Sequence, residues 1–132
     1  MPPDVAHDSR RLRLLLPPDL DAPAAARRAL RDLHLGEQEE NVVLLASELV
    51  TNAVVHAGLA PDQPIELAAA CDGGQTRVEV RDGGHGFRPD APTGGYGLHM
   101  VAAAAERWGI EYDGATCVWF ELAPPPRCRR LL

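Results

Sequence analysis

Leu12, Leu14 and Leu16 recur at every second position, as a strand with one buried face requires, and Pro17-Pro18 ends the run. The spacing then changes to three and four. Ala26, Leu30 and Leu33 predict a first helix over residues 23–35, closed near Gly36, and Val42, Leu45, Leu49 and Ala53 predict a longer one from about 37 to 56. Alternation returns over 65–71 and 76–82, on either side of Asp72-Gly73-Gly74, which predicts a hairpin. Residues 83–95, rich in Gly and Pro, have no periodicity and are expected to be loop. A third helix is predicted over 97–107 and a closing hairpin over 108–112 and 116–122, turning at Asp113-Gly114.

The polar, proline-bearing residues 1–10 are expected to form a loose arm, and the Pro- and Arg-rich residues 124–132 a loose tail. Between them, residues 11–123 are expected to make one domain. Its class is α+β, a two-layer sandwich with helices on one face of a mostly antiparallel sheet.

Composition narrows the setting. The 132 residues are 45% hydrophobic, enough for a single core. A formal net charge of −6 argues against direct binding to nucleic acid, whose phosphates are held by clustered cations. Cys71, Cys117 and Cys128 are odd in number and lack C-x-x-C spacing, so neither a disulfide framework nor a zinc site is indicated. No apolar run approaches the roughly 20 residues that cross a bilayer, and charges and prolines stand where a signal peptide would be apolar. The expected location is the cytoplasm, away from membranes.

The candidate chemistry falls in three segments. Glu48, Asn52 and His56 stand four apart and line one helix face over about 12 Å. Asn52 sits beside the buried stripe, where its amide needs partners. Either a Mg²⁺ ion bridging phosphate oxygens or a neighbouring loop backbone meets that need, the second being commoner for a lone amide. Glu48 is placed to activate a water or hydroxyl near a terminal phosphate, or is an ordinary solvated carboxylate. His56 reads as a cap that favours the helix dipole.

Asp82 shares strand parity with Val78 and Val80 and so points to the buried side. Its donor is either the exocyclic amine of an adenine or, in an Asx-turn, the Gly84 amide, and the two are evenly matched. Gly84 and Gly86 leave room for a base against the backbone. Gly94-Gly95-Tyr96-Gly97-Leu98 leads into a helix whose free N–H groups suit phosphate, although a lone G-x-G also fits a plain loop. No Walker or dinucleotide glycine pattern is present. In this order, the three segments together read as an ATP site.

The segments E-L-V-T-N-A-V-V-H-A (48–57), D-G-G-H-G-F (82–87) and G-Y-G-L-H-M-V (95–101), with V-W-F-E-L (118–122), resemble the N, G1 and G2 boxes and closing strand of the GHKL ATPases. Among these, the chain is most similar to the small bacterial anti-sigma-factor serine/threonine kinases, over about residues 12–122. The resemblance implies a Bergerat sandwich using ATP and Mg²⁺. It makes Glu48 the general base, Asn52 the Mg²⁺ ligand, Asp82 the adenine reader, and Gly84, Gly86, Gly95 and Gly97, with Leu98, the nucleotide loops. Thr116, in parity with Val118, Phe120 and Leu122, resembles the pocket threonine that supports adenine through water.

Members of that group hold a sigma factor until an antagonist protein competes, and phosphorylate that antagonist. The resemblance implies such partners, and a homodimer. Arg27, Arg28 and Arg31 are either part of a partner surface or a solvated basic face. The lid, about 88–94, is short, and no phospho-acceptor histidine domain or transducer domain is recognisable, which sets the chain apart from histidine kinases and chaperones. Two other readings stand beside the kinase: a non-catalytic ATP-binding module of the same fold, and a structural domain with accidental glycines.

Overall fold

The computed structural model describes residues 9–83 and 95–123, and the side chains of all of these except 95–99. The order is β1 (Ser9–Leu16), α1 (Ala22–Arg31), a 3₁₀ turn (Gly36–Gln38), α2 (Glu39–His56), β2 (Ile65–Asp72), β3 (Gln75–Asp82), α3 (Gly95–Ala104), β4 (Arg107–Tyr112) and β5 (Thr116–Leu122). The strands form one sheet in the order β1-β2-β3-β5-β4, every neighbouring pair antiparallel. After β3 the chain passes through α3 to the far edge as β4, and β5 returns between them. The ends of β3 and β5 thereby become neighbours.

One face of the sheet supplies Ile65, Leu67, Val78, Val80 and Phe120 to a core shared with Leu30 of α1, Val42 and Leu49 of α2 and Val101 of α3. The helices therefore cover that face, as expected of a two-layer sandwich. Burying each of these large aliphatic or aromatic side chains is worth roughly 1.5–3 kcal/mol. Helix α2 is buried more broadly than its predicted stripe, since Val43, Ala46, Ser47 and Val50 are also covered. Its second covered flank packs against α1.

Several boundaries differ from expectation, for local reasons. Helix α1 stops at Arg31 rather than 35, because Leu33 and His34 bond back three residues and His34 and Gly36 take positive φ, 54° and 70°. Leu33 and Leu35 still pack on the core, so the apolar spacing outlasts the helix. Helix α3 opens at Gly95 rather than 97 and ends at Ala104 rather than 107. The Glu106 amide already donates to the Glu121 carbonyl of β5, at 2.9 Å. Strand β1 takes in Ser9 and Arg10, expected to be arm. The β2–β3 hairpin turns on Gly73 and Gly74 alone, both with positive φ (61° and 86°), as a type I′ turn demands.

A buried amide ties the layers together. Thr76 Oγ1 donates to Gln38 Oε1 at 2.6 Å, and Gln38 Nε2 donates to the Ala123 carbonyl. On the helix-free face, Arg77 lies between Glu79 and Glu121, at 3.0 and 2.9 Å, and stacks 4.2 Å from the Trp119 ring centroid. The same ring covers Gly109, where an added Cβ would come within 2.9 Å of three indole atoms. Gly109→Ala is therefore expected to cost about 1–3 kcal/mol, as overpacking does. A chemical-denaturation midpoint equal to that of the unsubstituted protein would show that the indole moves aside freely.

Candidate functional site

A cleft opens between α2 and the ends of β3 and β5. Leu49, Asn52, Ala53 and Ala57 line it from the helix side, Val80 and Asp82 from β3, and Thr116 and Val118 from β5. The strand residues belong there by parity, since alternate positions share a face. Asp82 and Thr116 are also register partners across the β3–β5 ladder. Their exposures are 7% and 1%.

The Thr116 hydroxyl is buried without a hydrogen-bond partner. Such an orphan costs about 1–3 kcal/mol unless a ligand or water meets it. The cleft has about 20 Å³ available to water, room for one molecule, and takes in about 380 Å³ with its open mouth. Apolar walls, a buried carboxylate and an unmet hydroxyl fit a flat heterocycle bearing an amino group, with a water beside it. Asn52 lines the same cleft and makes no side-chain hydrogen bond among the described residues. The loop-backbone partner considered for its amide is thus not found there.

The other expected site residues are placed less completely. Glu48, half-buried one turn before Asn52, does not line the cleft, and no group among the described residues hydrogen-bonds or ion-pairs with it. His56 is exposed in the last turn of α2. Gly95, Gly97 and Leu98 open α3. Gly84 and Gly86, with the Asx-turn considered for Asp82, lie outside the described residues. Sequence reasoning passed over Leu49, Ala53, Ala57, Val80 and Val118 as walls, although Val80 and Val118 are legible by sharing parity with Asp82 and Thr116.

Of the three arginines on α1, Arg27 donates to Ser47 Oγ at 2.9 Å and Arg31 pairs with Glu40 at 2.7 Å. Both thus bind α1 to α2, while Arg28 remains exposed. The hydrogen bond from Arg31 holds the Glu40 carboxyl below its ordinary range. Burial pushes the Cys117 thiol up, which keeps it protonated and weakly nucleophilic at neutral pH. Among the described residues no three His, Cys, Asp or Glu side chains group as a metal site. No helix there is long and apolar enough to cross a membrane.

An antiparallel five-stranded sheet roofed by helices, with a buried carboxylate at the end of β3 beneath α2, defines the GHKL class of ATP-binding folds. The chain belongs to the histidine kinase-like ATPase domain family, whose model matches residues 16–122. It is similar in fold to the RsbU and RsbW domains of Rv1364c from Mycobacterium tuberculosis, with a TM-score of 0.71 and 24% identity. That match covers 93% of this chain and 35% of the other, so this chain spans about a third of its neighbour's length. No curated protein matches the chain.

Proposed function

We propose that this chain is an ATP-dependent cytoplasmic regulatory protein of the anti-sigma-factor type, a serine/threonine kinase that holds a sigma factor until an antagonist protein competes, and phosphorylates that antagonist to release it. The observation that carries the nucleotide part is the buried pair of Asp82 and the unsatisfied Thr116 hydroxyl in an otherwise apolar cleft. In this reading Asp82 accepts a hydrogen bond from the adenine amino group, and Thr116 bonds the same ring through water. The neutral Asn52 amide oxygen would hold Mg²⁺, a hard ion that accepts such ligands and retains waters. Gly95 and Gly97 leave the first amides of α3 open to phosphate. ATP with Mg²⁺ would supply the transferable phosphoryl group. Glu48 would take the proton of an acceptor hydroxyl as the phosphoryl group passes to that oxygen and ADP leaves.

The regulatory part rests on family membership and on likeness to a structure containing an RsbW domain. A sigma factor, its antagonist and a second copy of the chain are the proposed partners. One observation favours the non-catalytic module instead. Glu48 stands outside the cleft lining, and no described side chain orients it.

Calorimetric titration with ATP, with and without Mg²⁺, tests the site. Saturable binding that tightens with the metal is expected, and absence of heat at millimolar ATP would remove the nucleotide from the proposal. Thr116→Val sharpens the test. Deleting an unpaired buried hydroxyl is expected to leave the ligand-free protein as stable or up to about 1–3 kcal/mol more stable, while weakening ATP binding. Loss of stability together with unchanged affinity would assign Thr116 to the scaffold.

A further inference from the structure

The β1 edge lies on the opposite side of the sheet from β4 and takes no part in the cleft. Among the described residues no strand pairs with its outer side. Arg11 and Arg13 point to the helix-free face, while Leu12 between them and Leu14 beyond face the core and are half-buried. Arg13 pairs with Glu66 at 2.9 Å and remains 71% exposed. Arg11 has no hydrogen bond or ion pair among the described residues, although the chain as a whole carries net charge −6.

Register places Ala70 beside Arg11 and Ala68 beside Arg13, with Arg77 and Glu79 beyond them on β3. The short alanines leave a groove of about 360 Å³ walled by these longer side chains. This groove lies over β2, between β1 and β3; on the other side of Arg11 and Arg13, the outer edge of β1 presents backbone N–H and C=O groups, which is a template for another strand.

We propose that the β1 edge, with Arg11 and Arg13 beside it, binds an extended acidic segment of another protein, in which Asp or Glu alternates with apolar residues. Strand period sets alternate side chains on one face about 7 Å apart, the spacing of Arg11 and Arg13. Acids at i and i+2 of the incoming strand meet those two guanidiniums. The apolar residue between them covers the half-buried Leu12 and Leu14, and main-chain bonds complete the edge. A second copy is disfavoured. Two-fold pairing of β1 with itself, centred on residue 11, 12 or 13, sets Arg11 against Arg11, Arg11 against Arg13, or Arg13 against Arg13, and like charges directly opposite are destabilising.

The test is fluorescence polarisation of the full chain with a labelled peptide, Gly-Glu-Val-Glu-Leu-Glu-Gly, and its lysine counterpart. The acidic peptide is expected to bind, less tightly as salt rises, and Arg11→Glu is expected to weaken it about tenfold or more. That variant removes no intramolecular pair and should melt at the same temperature. N-methylating alternate residues gives two peptides, of which only the one with blocked inward amides should lose binding. Equal binding of the lysine peptide, indifference to Arg11→Glu, or tolerance of both methylation patterns would overturn the proposal. So would a dimer in sedimentation that Arg11→Glu dissolves, since the occupant would then be a second copy. Tighter binding of a single-stranded oligonucleotide would do the same. An affinity that rises about tenfold when Asp4 and Asp8 are replaced by Lys would make the chain's own first residues the occupant.

Discussion

Asp82→Asn should remove ATP binding at concentrations that saturate the unsubstituted protein, without unfolding the chain. The carboxylate is an acceptor only, whereas an asparagine in the same rotamer presents either a neutral acceptor or an NH₂ that confronts the adenine amine. A hydrogen bond with one charged partner contributes about 1.5–3 kcal/mol, and at 1.4 kcal/mol per decade that is roughly 10- to 100-fold in affinity. Placing a donor against a donor adds to the loss. The chain should stay folded, because asparagine keeps the size of the side chain and an acceptor oxygen at this buried position, 7% exposed. Titration calorimetry reads the affinity and circular dichroism the melting temperature. Unchanged ATP affinity in a folded Asp82→Asn protein would mean that the carboxylate does not read the base.

The second large effect is expected on rate. Glu48→Gln keeps the size of the side chain and removes its basicity, so ATP affinity should stay the same while phosphoryl transfer falls about 10²- to 10⁴-fold, the usual weight of a positioned base. Phosphate release from ATP is a readout that needs no partner, and transfer of label to an added antagonist protein is the more direct one. A rate that does not respond to Glu48→Gln would mean that Glu48 is not the base, and absence of any transfer by the unsubstituted protein would leave the chain as a nucleotide-binding module. Glu48 is half-buried and has no partner among the described residues, which makes this the decisive experiment between the two readings.

Much of the site follows from periodicity. Val78, Val80 and Asp82 share a face, and so do Thr116, Val118 and Phe120. That both faces are buried follows from alternation alone. Their meeting does not, because alternation says which side a strand buries and nothing about which strand lies beside it. The order β3-β5-β4 comes from the crossover through α3. Helix spacing had a similar limit at Glu48 and Asn52. Four-residue spacing puts both on one line, yet only Asn52 lines the cleft, while Glu48 stands half-buried one turn earlier. At the C-terminal ends of α1 and α3, apolar spacing ran past the last helical turn because Leu33 and Leu35 stay packed after the backbone has turned, and because Glu106 is claimed by β5.

The interleaved position of β5 also bears on how the chain acquires its function. Strands β2 and β3 pair across a tight turn and can zip up early, but β1 reaches β2 only around α1 and α2, and β5 reaches β3 only after the α3 crossover has closed a long loop. Asp82 and Thr116 face one another only once that non-local β3–β5 ladder has formed. A partly folded chain therefore has no base pocket, and nucleotide can stabilise only the completed topology, by an amount that grows with the logarithm of its concentration over the dissociation constant. If the cleft binds ATP as proposed, the cell's energy charge would act as a quality check on newly made molecules, holding finished copies in the native state and leaving unfinished ones open to proteolysis.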